Sequence, residues 1–145
     1  MNKDEGRFTF CVAAIIENQD NEILLLKRAP GNIPENIWDV VGGGVEQFED
    51  PFDGLNREII EETGIKDFDI IKAIDVFHWF QEDGSFDMIG MTFWCKTKST
   101  EVVLSNEHVE YKWVKPEKAL EISTHHIVTS NLEKFIAEKR RIGSN

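Results

Sequence analysis

The sequence predicts an α/β fold, a sheet covered by helices on both faces. Three observations predict it. Short apolar, β-rich runs bounded by turn residues recur along the chain, a helical period interrupts them near residues 51–63, and a second helical period lies near the C-terminal end. The 145 residues, 41% of them hydrophobic, suit a single domain, residues 1–145, with one core.

The elements follow in order. Phe8–Glu17 reads as a strand, Asn18-Gln19-Asp20-Asn21 as a turn and Glu22–Arg28 as a second strand, so the two should pair as a hairpin. Ala29–Asn36 is a loop carrying Pro30, Gly31 and Pro34. Trp38–Val41 is a short strand that ends in Gly42-Gly43-Gly44. Asp50 is an N-cap and Pro51 opens a helix, a position that needs no backbone N–H. Phe52, Leu55, Ile59 and Ile60 recur at helical spacing, and Gly64 terminates just past the end, giving a helix over Pro51–Thr63. Ile70–Phe80 and Asp87–Thr97 are strands joined at Gln81-Glu82-Asp83-Gly84. Tyr111–Val114 is a short strand and Pro116–Leu120 a single helical turn. The last helix spans about Thr124–Arg141, with Val128, Leu132, Phe135 and Ile136 on one face and Lys139-Arg140-Arg141 in its last turn.

Composition narrows the partners. A net charge of −11 disfavours a nucleic acid polymer or an anionic membrane, but a divalent cation at an acidic site still admits a small phosphorylated ligand. Cys11 and Cys95 both sit in apolar runs and read as reduced core thiols, not a disulfide or zinc framework. Met1–Phe10 carries charges and no long apolar stretch, and no run nears ~18 apolar residues, so neither a signal peptide nor a membrane span is expected. The expectation is a soluble, cytoplasmic protein.

The helix at 51–63 carries the chemistry. At about 100° per residue, Glu61 falls about 60° to one side of Glu58 and Glu62 about 40° to the other, beside a core face of Phe52, Leu55 and Ile59. Like charges at this spacing destabilise a helix unless a cation offsets them, and hard carboxylate oxygens suit Mg²⁺ or Mn²⁺. A solvated acidic face is the competing reading. The flanking residues decide against it. Gly43, Glu49, Arg57, Glu58, Ile59, Glu61, Glu62, Gly64 and Ile65 fit G-x5-E-x7-R-E-U-x-E-E-x-G-U, where U is aliphatic.

That pattern is a complete Nudix box, and the chain strongly resembles Nudix hydrolases. The resemblance implies an α/β/α sandwich around a mixed sheet. It also implies a Mg²⁺-dependent (or Mn²⁺-dependent) pyrophosphohydrolase that cleaves a nucleoside diphosphate linked to another moiety by water attack on phosphorus. Glu58, Glu61 and Glu62 match the family's metal-binding glutamates, and Gly42 a position whose carbonyl often ligates metal. Arg57 matches the arginine that orients the carboxylates, and Glu49 a glutamate in a supporting role. Gly43 and Gly64 match shape-determining glycines. The general base is Glu58 or, in the stretch Asn106-Glu107-His108-Val109-Glu110-Tyr111-Lys112-Trp113-Val114, Glu107, with Glu110 behind it; exposed, inert charges are the alternative there. Val41 stands where many members have proline, and Gly54-Leu55-Asn56 replaces a common small-residue pair. A homodimer is expected by resemblance alone.

Substrate contacts carry weaker signals. Arg28, after Lys27, could reach phosphates, and Phe80, in the run Phe77-His78-Trp79-Phe80, could stack on a base, although core packing competes for each aromatic. Trp38 reads as a packing residue and His125-His126 as surface or capping residues. The rival function is a Nudix-like sensor domain that holds a nucleotide without turning it over. A scaffold with an acidic helix leaves Gly43, Arg57 and Gly64 at their fixed offsets unexplained.

Overall fold

The computed structural model describes residues 7–143. Its strands are β1 (Thr9–Glu17), β2 (Ile23–Arg28), β3 (Trp38–Asp39), β4 (Val41–Gly44), β5 (Phe68–Phe80), β6 (Asp87–Thr97) and β7 (His108–Val114). The helices are α1 (Pro51–Thr63), α2 (Pro116–Ile122) and α3 (His126–Gly143). All seven strands join one sheet of order β3-β2-β1-β6-β5, with β4 also paired to β1 and β7 to β2. β1 and β6 run parallel from Thr9↔Met88 to Glu17↔Lys96, while the other pairings are antiparallel, so the sheet is mixed.

Strand alternation sorts the core into two layers. Val12, Ala14 and Ile16 of β1 point toward Leu55 and Ile59 of α1. Ala13 and Ile15 point the other way, toward Val128, Leu132 and Phe135 of α3 and Ala119 of α2. The expected sandwich is therefore present, built on a strand that is apolar on both faces because both are covered.

Several local expectations are corrected. β1 and β2 do flank a turn, closed by the Asn18 side chain, whose Oδ1 accepts the Asp20 and Glu22 N–H groups at 2.9 Å. Yet they pair only at Glu17↔Ile23, because β1 leaves β2 to meet β4. The glycines of 42–44 lie within β4 and not beyond it, held by Ala13↔Gly42, Val12↔Gly43 and Cys11↔Gly44. A Cβ on Gly42 would sit 2.7 Å from the Val12 carbonyl oxygen, so the close approach to β1 needs glycine. β7 starts at His108, earlier than its apolar residues suggest, because β2 pairs with it from Arg28↔His108 onward. Phe52 and Ile60 are more exposed than their spacing implies, leaving Leu55 and Ile59 as the fully buried apolar side chains of α1. Cys11 and Cys95 are free and buried, and burial pushes both thiols up to about 12. No helix among the described residues is long and apolar enough to cross a membrane.

Candidate active site

α1 is set in place by its ends. The Asp50 side chain accepts the Phe52 N–H at 2.8 Å, Pro51 occupies the first turn, and Gly64, at φ 73°, donates its N–H to the Ile60 carbonyl at 2.9 Å. The start and stop of the helix fix which residues face β4.

Arg57 organises the acids. Its Nε and Nη2 donate to the two Glu49 oxygens, both at 2.9 Å, while Nη1 donates to Glu58 at 2.8 Å and Nη2 to the Gly44 carbonyl at 3.0 Å. Glu61 lies 3.6 Å from the same guanidinium. A planar fork with five N–H donors can serve all these acceptors at once, as a lysine cannot. The Arg57 bonds and the Glu46 N–H hold Glu49 down at about 2. Gly54 makes room for this: a Cβ there would sit 3.0 Å from Glu49 Oε1.

Glu58 and Glu62 approach the glycine strand from the α1 side. A Cβ on Gly43 would lie 2.3–2.5 Å from the Glu58 carboxyl group, so that side chain occupies the space a larger residue would take. The Gly42 N–H donates to Glu62 Oε1 at 2.8 Å. Glu62 is buried, and burial, offset in part by that N–H, pushes its carboxyl up to about 9, with repulsion from Glu58, Glu107 and Asp39 adding to it. Burial also raises Glu58.

β7 completes the cluster. Ligand atoms of Glu62, Glu107 and His108 lie within 4.8 Å of one another. His108 Nδ1 is 3.8 Å from Glu62 Oε2, and neither ring nitrogen has a hydrogen-bond partner among the described residues. Burial, then the charge of Arg28, lowers His108 to about 4, so its ring is neutral and keeps a lone pair. The buried Glu62 carboxyl, the unsatisfied His108 imidazole and the exposed Glu107 carboxylate lie close enough together for one divalent cation to reach all three.

A cavity of about 240 Å³ adjoins the same glycines and is lined in part by Arg28, Asp39, Phe77, Trp79 and Asn131. Arg28 donates to the carbonyls of Asn32, Ile33 and Pro34 and lies 3.6 Å from Asp39, so its guanidinium is occupied in shaping the cavity rim. Phe80, half exposed, stacks on His78 at 4.7 Å and does not line the cavity; the alternate residues Phe77 and Trp79 do. His125 caps locally by accepting the Ile127 N–H at 3.3 Å and packs edge-on to Trp79, while Trp38 packs against the α3-side core. Sequence reasoning missed Asp39, His108 and Asn131. The last had a signal, a polar residue on the apolar stripe of Val128, Leu132 and Phe135.

The model of the NUDIX domain matches residues 7–137. The chain belongs to the NUDIX family. Among curated NUDIX relatives, the CTP pyrophosphohydrolase of Escherichia coli K12 is 32% identical over 126 residues, spanning 87% of this chain and 90% of the relative. Further matches differ in reach: the chain aligns with 66% of a MutT-like protein from Streptomyces ambofaciens, with about half or less of several RNA pyrophosphohydrolases, and with 81% of a nucleoside triphosphatase from Escherichia coli O17:K52:H18 at 34% identity. Among solved structures, a MutT protein from Methanosarcina mazei Go1 superposes with a TM-score of 0.81 at 30% identity, covering 93% of this chain and 97% of that one.

Proposed function

We propose that this chain is a divalent-metal-dependent pyrophosphohydrolase that cleaves a nucleoside diphosphate linked to another moiety, with a nucleoside triphosphate as the leading substrate class. One observation carries it: a single guanidinium gathers Glu49, Glu58 and Glu61 at the edge of a glycine strand against which Glu62 is buried. Glu58, Glu61 and Glu62, with the Gly42 carbonyl, would hold Mg²⁺ or Mn²⁺. When bound, such an ion neutralises phosphate charge and acidifies water.

The remaining chemistry falls to the chain itself. Arg57 commits its bonds to Glu49, Glu58 and the Gly44 carbonyl, so it acts as a positioning residue. Glu58 has one oxygen held by Arg57, whereas the Glu107 side chain is exposed and makes no hydrogen bond among the described residues. We therefore assign Glu107 to take the proton of the attacking water, which adds to phosphorus as the phosphoanhydride oxygen leaves. A triphosphate would yield a monophosphate and pyrophosphate. The relatives named as CTP pyrophosphohydrolase and nucleoside triphosphatase support this substrate class.

The test is hydrolysis of a nucleotide panel with Mg²⁺ by the wild-type chain, Glu61→Gln, Glu62→Gln and Glu107→Gln. The variants should lose activity by orders of magnitude, and oxygen from labelled water should appear on phosphorus. Full activity in both Glu61→Gln and Glu62→Gln would end the assignment.

A further inference from the structure

The loop after β2 opens with Ala29-Pro30-Gly31-Asn32, proline at the second place and glycine at the third. That order suits a tight turn whose third residue is left-handed. The structure forms it: Gly31 sits at φ 85°, and the Asn32 N–H donates to the Ala29 carbonyl at 3.1 Å. The turn aims two donors at one acceptor. The Ala29 N–H and the Asn32 side-chain Nδ2 both donate to the Glu107 main-chain carbonyl, at 2.9 and 3.1 Å. Arg28 holds the turn in place by donating to the carbonyls of Asn32, Ile33 and Pro34.

What the turn grips is the residue assigned to take the proton. Glu107 lies just before β7, where the ladder with β2 slips: Lys27 faces Glu110, yet Arg28 faces His108. Such a bulge re-aims the side chains beside it. The Glu107 carboxylate is exposed, and no hydrogen bond holds it among the described residues. Its direction is therefore set by its main chain. A carbonyl oxygen has two lone pairs and can accept two donors. The Ala29 bond alone still lets the peptide swing, and the Asn32 bond fixes its plane. Held so, a Glu107 carboxylate oxygen stays within 4.8 Å of the ligand atoms of Glu62 and His108. Arg28, Ile33 and Pro34 line the cavity beside β4, whereas Asn32 does not. Asn32 is placed to hold Glu107 and not to touch a substrate.

We propose that Asn32 is a positioning residue for the reaction: its amide, clamped on the Glu107 carbonyl, aims the Glu107 carboxylate at Glu62. Asn32 acts through Glu107, so this role rests on the proposed hydrolase reading, in which Glu107 takes the proton of the attacking water. It should change the reaction step and leave substrate binding alone.

The experiment compares the wild-type chain with Asn32→Ala, Asn32→Asp, Glu107→Gln and the double variant Asn32→Ala/Glu107→Gln, on the common nucleoside triphosphates with Mg²⁺. Asn32→Asp keeps the shape of the side chain and loses the donor. kcat should fall by about 10-fold or more in both single Asn32 variants. A shift of about 1 Å in a reacting group costs on the order of 10²-fold, and the Ala29 bond limits the shift. KM should stay within about 2-fold. Placed on Glu107→Gln, Asn32→Ala should change kcat by less than about 2-fold, since no carboxylate is left to aim. A turn that only stiffened the fold would cost as much in either background. Crystal structures of the wild type and Asn32→Ala give a readout without turnover: the Glu107 carboxylate should leave its place beside Glu62 in the variant. If the wild type hydrolyses nothing yet that carboxylate moves, the hydrolase reading fails and the aiming role stands. Full activity in Glu107→Gln, with activity lost in Glu61→Gln and Glu62→Gln, would overturn the role of Asn32 and keep the metal-site reading. Unchanged kcat in both Asn32 variants, equal losses in the two backgrounds, or a carboxylate that stays in place would overturn it as well.

Discussion

Replacing Gly43 with alanine tests the central geometry at one methyl group. A Cβ there would meet the Glu58 Cδ at 2.3 Å and its oxygens at 2.4 and 2.5 Å, against the 3.4 Å at which ordinary contact begins. The carboxylate must therefore retreat by about 1 Å. It cannot do so freely, since the Arg57 Nη1 bond at 2.8 Å holds it and Arg57 is itself pinned by Glu49 and Gly44. Misplacement of a reacting constellation by about 1 Å costs on the order of 10²-fold in rate. Gly43→Ala should thus lose about 10²-fold in kcat for Mg²⁺-dependent nucleotide hydrolysis and bind Mg²⁺ more weakly by calorimetry. Gly44→Ala is the control. It lies in the same strand, a Cβ added there would meet nothing within 4 Å, and its backbone is not left-handed, so it should keep wild-type activity. Equal activity in the two variants, with both folded by circular dichroism, would refute the claim that Glu58 must sit against β4.

Further outcomes follow from other groups. Ile59→Ala removes a fully buried side chain beneath the sheet and should cost about 2–5 kcal/mol in urea unfolding. Asp39 is raised by burial from 3.8 to about 6, with Arg28 opposing, so the folded chain holds its proton more tightly than the unfolded one. Its contribution relative to Asp39→Asn is then greatest below pH 3.8 and declines as pH rises through about 6, by at most ~3 kcal/mol, which paired thermal melts will detect. Glu62, raised to about 9, is protonated at pH 7 in the metal-free chain. Metal binding should accordingly release about one proton, seen as buffer-dependent calorimetric heats, and that release should vanish in Glu62→Gln. Mg²⁺ at 100 times its Kd should stabilise the wild type by about 2.7 kcal/mol, and chelator should reverse the shift.

What the sequence displayed was what local rules govern. The cap at Asp50, the stop at Gly64 and the phase of Glu58, Glu61 and Glu62 all follow from a 3.6-residue period and from terminal chemistry. Arg57 and Glu49 were legible as a spacing, though not as a two-pronged bond. The glycines of 42–44 misled, since glycine signals a loop when read alone, and only the β1 ladder makes them a strand. His108 looked like part of a polar strand start, because nothing near it in the chain announces that β2 and α1 will bury it. Nothing local favoured Phe77 and Trp79 over Phe80, since alternation gives two faces without saying which one borders a cavity. Asp39 and Asn131 belong to distant elements, and their convergence exists only after both layers have closed on the sheet.

The parallel ladder joining β1 to β6 has a consequence for how the molecule is made. Thr9 finds its partner only at Met88, and no local turn can bring them together. Loop closure over such a span costs chain entropy before any contact offsets it, which slows folding. During synthesis, a nascent chain that has emerged only through α1 already carries every residue from Gly42 to Gly64, while the strand that anchors β4 still lacks one neighbour. Chelating competence should therefore arise late and abruptly, once residues 87–97 and then Glu107 and His108 of the following segment have left the ribosome, and not gradually as the acidic helix appears.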